Sequence, residues 1–512
     1  MPARGTAPRS GRQGRVGVID IGSNSVRLVV YDALSRAPVP LLNEKVLCGL
    51  GRGLGETGRL NQEGVESALA HLARFVALAR TIGVRRLDAL ATAAVRDAED
   101  GPAFAAEIRR RTGVNVQILS GEAEGRLSAL GLIAGIPDAS GVMGDLGGGS
   151  VELVPVRRGR THKGATLPIG PLRLAELAED ERKLGASIER EVERVDWLRH
   201  RRSDTFYAVG GAWRALARIH MEQSHYPIHV IQGYTLPRRD AEDFLGLVAR
   251  LSRRSLEQIS TVSRKRLEVV PIAAEILRRI VAVMEPKRIV FSALGLREGH
   301  IYELLAERER RQDPLLVACA ALAHGHPRFR AGNGEIDTWL AATYPRPDAH
   351  RRLRYAASLL GDVSWAEHPD YRAEQAFRTV LYMPAAGLSH RERAFLAVAL
   401  HARYGGPESA IRDTVSRLID DDALADARRT GLALRLAYTI SGGVPGLLRR
   451  ASLALERGEL VLRVPGRGPL QGGEAVERRL GALARAFGVE ARIRSATGAG
   501  KKRPSARGFK AA

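Results

Sequence analysis

Residues 145–154, DLGGGSVELV, lie over residues 20–29, DIGSNSVRLV, at a constant offset of 125 positions. Asp20 falls on Asp145, Gly22 on Gly147, Ser25 on Ser150 and Val26 on Val151. In each copy β-branched residues flank a run of turn formers, so each predicts two strands joined by a tight turn. A repeat of this kind predicts two similar α/β domains, each opening on a phosphate-loop hairpin, facing one another across a cleft.

Outward from the repeats the pattern alternates. NQEGVESALAHLARFVALARTIG is amphipathic, with Asn61 as its cap; RLDALATAAVR begins as a strand; AFAAEIRRRTG reads as helix and VNVQILSG as strand. Alternation of this sort predicts an α/β fold. After Asp145 the scheme returns as TFYAVGGAWRALARI and RIVFSALGLREGHIYELL, with a long helix expected from Ile301 towards Pro314. Beyond that point strand signals thin out and helical periodicity dominates, apart from GELVLRVPG near 458–466. The expected division is a basic tail 1–15, domains 16–137 and 138–312, a helical region 313–495 and a second basic tail 496–512.

At 512 residues the chain exceeds one compact core. A hydrophobic share of 45% against 27% charged marks a folded globular protein rather than a disordered or fibrous one. Lys and Arg outnumber Asp and Glu by 79 to 57, a formal +22, which points to a polyanionic substrate or, equally, to solvated Arg-rich faces. Both tails are basic without any acid, and both read as disordered. Cys48 and Cys319 are the whole cysteine complement, too few for a disulfide framework or a Cys-based zinc site. With no apolar h-region near the start and no run long enough to span a bilayer, the expectation is a cytoplasmic protein without a membrane partner.

The chemistry sits at the repeats. Turns of Gly, Ser and Asn let backbone N–H groups converge on an anion because no Cβ blocks the approach. Asp20 and Asp145 end the preceding strands and supply hard oxygen for Mg²⁺, which keeps waters and bridges to phosphate. An ordinary hairpin with a turn-capping Asp would explain either loop alone, but not the duplication. The copies differ where Arg27 stands opposite Glu152, so the cleft is chemically asymmetric. In SGEAEGRLSALG, Glu122 and Glu124 open a helix; residues two apart point to different faces, so at most one meets the cleft. Arg96, just past a strand end in ATAAVRDAED, could grip phosphate oxygens in a fork.

DIGSNSVRLVVYD, ATAAVRDAED, SGEAEGRL, DLGGGSVELV and AVGGAWRAL, in that order, resemble the exopolyphosphatase and guanosine pentaphosphate phosphohydrolase family of the actin-like ATPase superfamily, over roughly residues 16–312. The resemblance implies two duplicated actin-like (ribonuclease H-like) domains around a cleft, then a mainly helical C-terminal region related to a degenerate His-Asp phosphohydrolase domain. It implies Glu124 as the catalytic base, Glu152 as a second acid, and Asp20 and Asp145 as Mg²⁺ ligands. Gly22, Ser23, Asn24, Ser25, Gly147, Gly148, Gly149, Ser150 and Arg96 would bind phosphate, Gly210 and Gly211 fall where relatives hold adenosine, and Arg266 would hold the remaining chain. The implied activity is Mg²⁺-dependent, processive exopolyphosphatase action releasing orthophosphate, in a homodimer.

The chain departs from the family in two places. Paired glutamates are replaced by Glu122-Ala123-Glu124, so the base is assigned by its position beside Gly125-Arg126. No His-Asp dipeptide occurs, which makes the C-terminal region a structural or substrate-gripping element rather than a second metal site. GLGETG at 53–58 ends before the Asn61 cap and reads as a loop, and GRTHKGA at 159–165 lacks a P-loop ending. The rivals are guanosine pentaphosphate 5′-phosphohydrolase, an ATP-using kinase or ATPase of the same superfamily, and a non-catalytic binder of polyphosphate or an alarmone. The retained Glu124 beside two Asp loops argues against the binder, and nucleic acid is not the expected partner.

Overall fold

The structure, a computed structural model, describes residues 14–178, 180–202, 204–251, 268–325, 333–344, 348–465 and 473–496. The expected tails fall almost wholly outside them, as does Arg266. The chain divides into two compact units, one of residues 1–317 with 384–390 and one of 318–383 with 391–512.

In the first unit both repeats form the hairpins their sequence predicts. Strands β1 (Val16–Ile21), β2 (Ser25–Tyr31), β3 (Pro40–Leu47), β4 (Arg86–Ala91) and β5 (Val116–Ile118) make one sheet in the order β3-β2-β1-β4-β5. The second sheet uses β6 (Gly141–Leu146), β7 (Val151–Arg157), β8 (Arg160–Thr161), β9 (Ala165–Leu167), β10 (Thr205–Gly210), β11 (Tyr234–Pro237) and β12 (Arg288–Phe291), ordered β11-β12-β10-β6-β7-β8 with β9 also on β7. Each sheet joins an antiparallel hairpin to parallel strands: β1 pairs antiparallel with β2 and parallel with β4, and β6 does the same with β7 and β10. The central strands are buried on both faces, β10 along its whole length, which is why they read as continuous apolar runs.

Helices cover the sheets because their apolar residues recur at helical spacing. Gln62–Ile82 begins where Asn61 accepts the Gly64 N–H and ends at Gly83 in the left-handed conformation. It buries Ala68, Leu69, Leu72, Phe75, Val76 and Ala79 against the first sheet. Each large side chain there contributes roughly 1.5–3 kcal/mol, so Leu72→Ala would cost about 2–5 kcal/mol. The stretch GLGETG is a loop with one short turn of helix, Leu54–Thr57.

The helix expected from Ile301 starts earlier and stops sooner, at Leu296–Leu304. The Glu298 carboxylate accepts the Gly295 N–H at 3.0 Å and so fixes the start, and extended backbone at Leu305 ends it. This helix lies tightly on Gly121–Gly135: a Cβ on Gly299 would meet the Leu127 carbonyl at 1.7 Å, and one on Gly131 the Gly295 carbonyl at 2.0 Å. That close approach sets the position of the helix carrying Glu124.

A short segment far along the chain returns to this unit. Gly387 donates its N–H to the Gly135 carbonyl at 2.8 Å, and His390 Nδ1 lies 2.9 Å from the Tyr226 hydroxyl. The second unit is mainly helical, with Arg351–Leu359, Arg372–Tyr382 and Asp421–Ser441 among its helices. It also carries β13 (Ser452–Glu456), β14 (Glu459–Pro465) and β15 (Glu490–Ala496), beside the helix Glu474–Phe487.

Candidate active site

The two loops are the same turn. Gly22 donates its N–H to Ser25 O at 3.0 Å, and Gly147 donates to Ser150 O at 3.0 Å. Register repeats too, with Asp20 opposite Arg27 on β2 and Asp145 opposite Glu152 on β7. The loops then meet: a Cβ on Gly148 would stand 3.0 Å from Ser23 Cβ, and one on Gly149 3.4 Å from Ser23 Oγ. Three glycines in the second copy therefore let its loop close on the Ser-Asn-Ser of the first.

Asp20, Gly22, Ser23, Asn24, Ser25, Glu124, Asp145, Gly147, Gly148, Gly210 and Gly211 line one cleft. Gly210 has φ 112°, and a Cβ there would meet the Leu146 carbonyl at 2.4 Å; a Cβ on Gly211 would meet nothing. Glu124 is 6% exposed and stands in the first turn of Gly121–Gly135, which is capped by Ser120. Its companion Glu122 is exposed and lines a different cavity, so the two do point apart.

Arg96 meets Glu124 rather than open cleft. Its Nη1 lies 2.7 Å from Glu124 Oε2, its Nε 3.1 Å from Asp97, and Nη1 also donates to Leu119 O at 3.3 Å. Ser150 is likewise engaged, donating to Glu152 Oε1 at 2.5 Å. Glu152 is 1% exposed and its Oε2 has no hydrogen-bond partner among the described residues. Asp145 accepts a short hydrogen bond from the Ser128 hydroxyl.

Burial of so many acids shifts their proton affinities upward. Desolvation lifts Glu124 to about 7, against the pull of Arg96 and with the push of Asp145 and Asp20. Desolvation also raises Glu152, reinforced by Glu124, and raises both Asp20 and Asp145. A cation among these groups would relieve the strain. The donors are hard carboxylate oxygens, one of them buried without a partner. Among the described residues no group of three or more His, Cys, Asp or Glu could hold a metal ion. Such a donor set fits Mg²⁺, which takes most of its ligands from water and phosphate, and not a metal needing a full protein cage.

The sequence reading missed two arginines in the same cleft. Arg297 is buried, its Nε 3.7 Å from Asp20 Oδ2 and its Nη1 without a hydrogen-bond partner among the described residues. Arg214, held by the Ala293 carbonyl at 3.0 Å, is pushed down to about 10 by burial. Both lie in helical stretches, GAWRAL and GLREGH, rather than at the repeats, and position after a glycine turn was their one sequence signal. In the second unit His350 Nδ1 lies 2.6 Å from Asp426 Oδ2, and Arg354 Nη1 reaches the same oxygen at 3.2 Å. A His–Asp pair thus exists across distant sequence, where a dipeptide search does not look.

Residues 339–493 match the description "Exopolyphosphatase, C-terminal". The chain is 34% identical over 163 residues to exopolyphosphatase 1 of Mycobacterium bovis, 31% of this chain and 47% of that protein, so the match spans about half of that relative's length. It is 26% identical over 367 residues to the guanosine-5′-triphosphate,3′-diphosphate pyrophosphatase of Aeromonas salmonicida, 67% of this chain and 71% of that one. Among solved structures, an exopolyphosphatase from Cytophaga hutchinsonii superposes with a TM-score of 0.53 at 23% identity, covering 57% of this chain and 97% of that one, a likeness of fold. Since residues 13–308, the whole of the duplicated hairpin architecture, match the Ppx/GppA phosphatase family, this chain belongs to that family.

Proposed function

We propose that the chain is an exopolyphosphatase that hydrolyses the terminal phosphate of polyphosphate processively and releases orthophosphate. One observation carries the reading: Glu124, a carboxylate buried in the cleft that both glycine loops line, with Arg96 at 2.7 Å to orient it. Desolvation raises its affinity for a proton, which suits a general base that acts near neutral pH. The names of the mycobacterial and Cytophaga relatives agree with it.

In this mechanism the loop N–H groups that follow Gly22 and Gly147, whose own N–H groups close the turns, receive the phosphate oxygens. Glu124, oriented by Arg96, takes the proton as water attacks in line, and Glu152 orders that water. Arg297 and Arg214 balance charge that spreads onto the equatorial oxygens. Asp145 and Asp20 would hold Mg²⁺, which when bound neutralises the phosphate oxygens. The Mg²⁺ requirement, a homodimer and a cytoplasmic setting are parts of the proposal. The setting agrees with Cys48 and Cys319 not being joined in a disulfide. No helix among the described residues is long and apolar enough to cross a membrane.

A second reading, guanosine pentaphosphate 5′-phosphohydrolase, is favoured by the open space above Gly211 at the edge of the cleft and by the Aeromonas relative's name. Orthophosphate release from polyphosphate and from guanosine pentaphosphate, each with Mg²⁺ and with EDTA, tests both. Release from polyphosphate alone supports the first reading, release from the nucleotide alone the second, and full activity in EDTA removes the metal.

A further inference from the structure

Asp145, Glu152 and Thr166 form one row across the second sheet: β6 sets Asp145 beside Glu152, and β9 sets Thr166 beside Glu152. Side chains paired in register point to the same face. The row starts in the cleft, which Asp145 lines, and ends in a separate cavity lined by Gly121, Gly125, Arg126, Glu152, Lys163 and Thr166. Glu152 stands between the two, 99% buried, with its unpartnered Oε2. The helix closes over it without a side chain, since a Cβ on Gly125 would lie 3.1 Å from Glu152 Cβ.

The outer rim of this cavity is formed by residues 161–164 of the stretch GRTHKGA, from the end of β8 to the start of β9. His162 and Lys163 are exposed there, Lys163 has no ion-pair partner among the described residues, and Arg126 is bound to Glu303 at 2.5 Å. Lys163 is thus a rim cation without an ion pair among the described residues, offset in net charge by Glu122, while the inner wall is Glu152.

In-line displacement places constraints on such a site. Water must attack from the side of the terminal phosphorus opposite the departing chain. A cleft filled by a phosphate chain offers no path for water along that chain. The orthophosphate formed also lies on the water's side, so it must pass the chain or leave behind it. We propose that the cavity behind Glu152 is a rear port, by which water enters and orthophosphate departs while the shortened chain stays in the cleft. This rests on the hydrolase reading above. In the step it serves, the water oxygen bonds to phosphorus, Glu124 takes the water proton, and the bridging P–O pair leaves on the shortened chain. Dihydrogen or monohydrogen phosphate then moves past Glu152 towards Lys163.

The test plugs the rim without touching the cleft. Lys163→Cys, made in a Cys48→Ser background, is compared unlabelled, with ethylmaleimide and with fluorescein maleimide, and attachment is verified by mass. With polyphosphate and with a short phosphoanhydride, kcat should fall with label size, at least tenfold for fluorescein, while KM for polyphosphate stays within twofold. An unchanged kcat under the bulky label overturns the port, and so does a loss that appears wholly as raised KM. Thr161→Cys, across the rim, is labelled in parallel so that one poorly folded variant does not decide the matter. A wild-type chain that releases no phosphate overturns the hydrolase reading and the port together; an active chain indifferent to the labels overturns the port alone.

Discussion

Replacing Glu124 by Gln should make the protein a worse catalyst with Mg²⁺ and a more stable fold without it. Burial holds the carboxyl near 7, where an unfolded glutamate titrates near 4.5. At about 1.4 kcal/mol for each tenfold change in proton affinity, ionising it inside the fold costs about 3 kcal/mol. The folded affinity is the higher one, so Glu124 is harmless below pH 4.5 and its cost accumulates as pH rises through 7. Gln carries no charge and its carbonyl can still accept from Arg96 Nη1, while Nη1 keeps Leu119 O and Nε keeps Asp97. Easing the repulsion on Glu152 adds to the gain. The variant should match wild type near pH 4.5 and exceed it by about 1–3 kcal/mol at pH 8, in EDTA. Because a chain of two compact units gives no single unfolding free energy, hydrogen exchange within Gly121–Gly135 is the suitable readout. Turnover at pH 8 with Mg²⁺ should fall about 10²- to 10⁴-fold. A stability gap that is flat with pH, or reversed at pH 8, would refute the burial argument; near-normal turnover would move the base to Glu152 or Glu122.

Asp145→Ala should abolish Mg²⁺-dependent phosphate release while circular dichroism stays unchanged, because the carboxylate is lost at a strand end and the Ser128 contact is local. Gly148→Ala should push the second loop from Ser23, for its Cβ would stand 3.0 Å from that side chain; a cost of about 1–3 kcal/mol and a raised KM for every substrate are expected, read by thermal melts and kinetics. A chain ending at Gln312 lacks the bond from Gly387 to Gly135 as well as the second unit. If the second unit extends the grip on the substrate, that shorter chain should keep hydrolysis of short phosphoanhydrides and lose its preference for long chains. KM for long polyphosphate should rise steeply with salt in the full chain, as counterion release requires, and far less in the shortened one. Equal loss for both substrates in a folded truncation would assign the basic excess to surface.

The hairpins, their two loops and the acids at their ends were legible in the sequence because they are local: turn formers between β-branched runs fix a tight turn whatever lies around it, and duplication repeats the signal. That Glu122 and Glu124 both open a helix was legible for the same reason, but helix position alone did not choose between them, and Glu124 was singled out by resemblance beside Gly125-Arg126. Its partner was not legible. That Arg96 spans from a different element to hold it, that Ser150 spends its hydroxyl on Glu152, and that Arg297 and Arg214 reach the cleft are consequences of which strands lie side by side, and pairing between distant strands leaves no local trace. The start of the helix at Leu296 turned on a single cap, Glu298 on Gly295, that apolar periodicity does not register. The proton affinities belong wholly to the tertiary structure, since desolvation depends on what surrounds a carboxylate and not on its neighbours in the chain. Sequence determined that two like turns would each follow an acid and predicted that they would face a cleft; only packing, through glycines small enough for Gly148 to rest on Ser23 and Gly125 on Glu152, decided how closely the two turns and the helix of Glu124 approach one another.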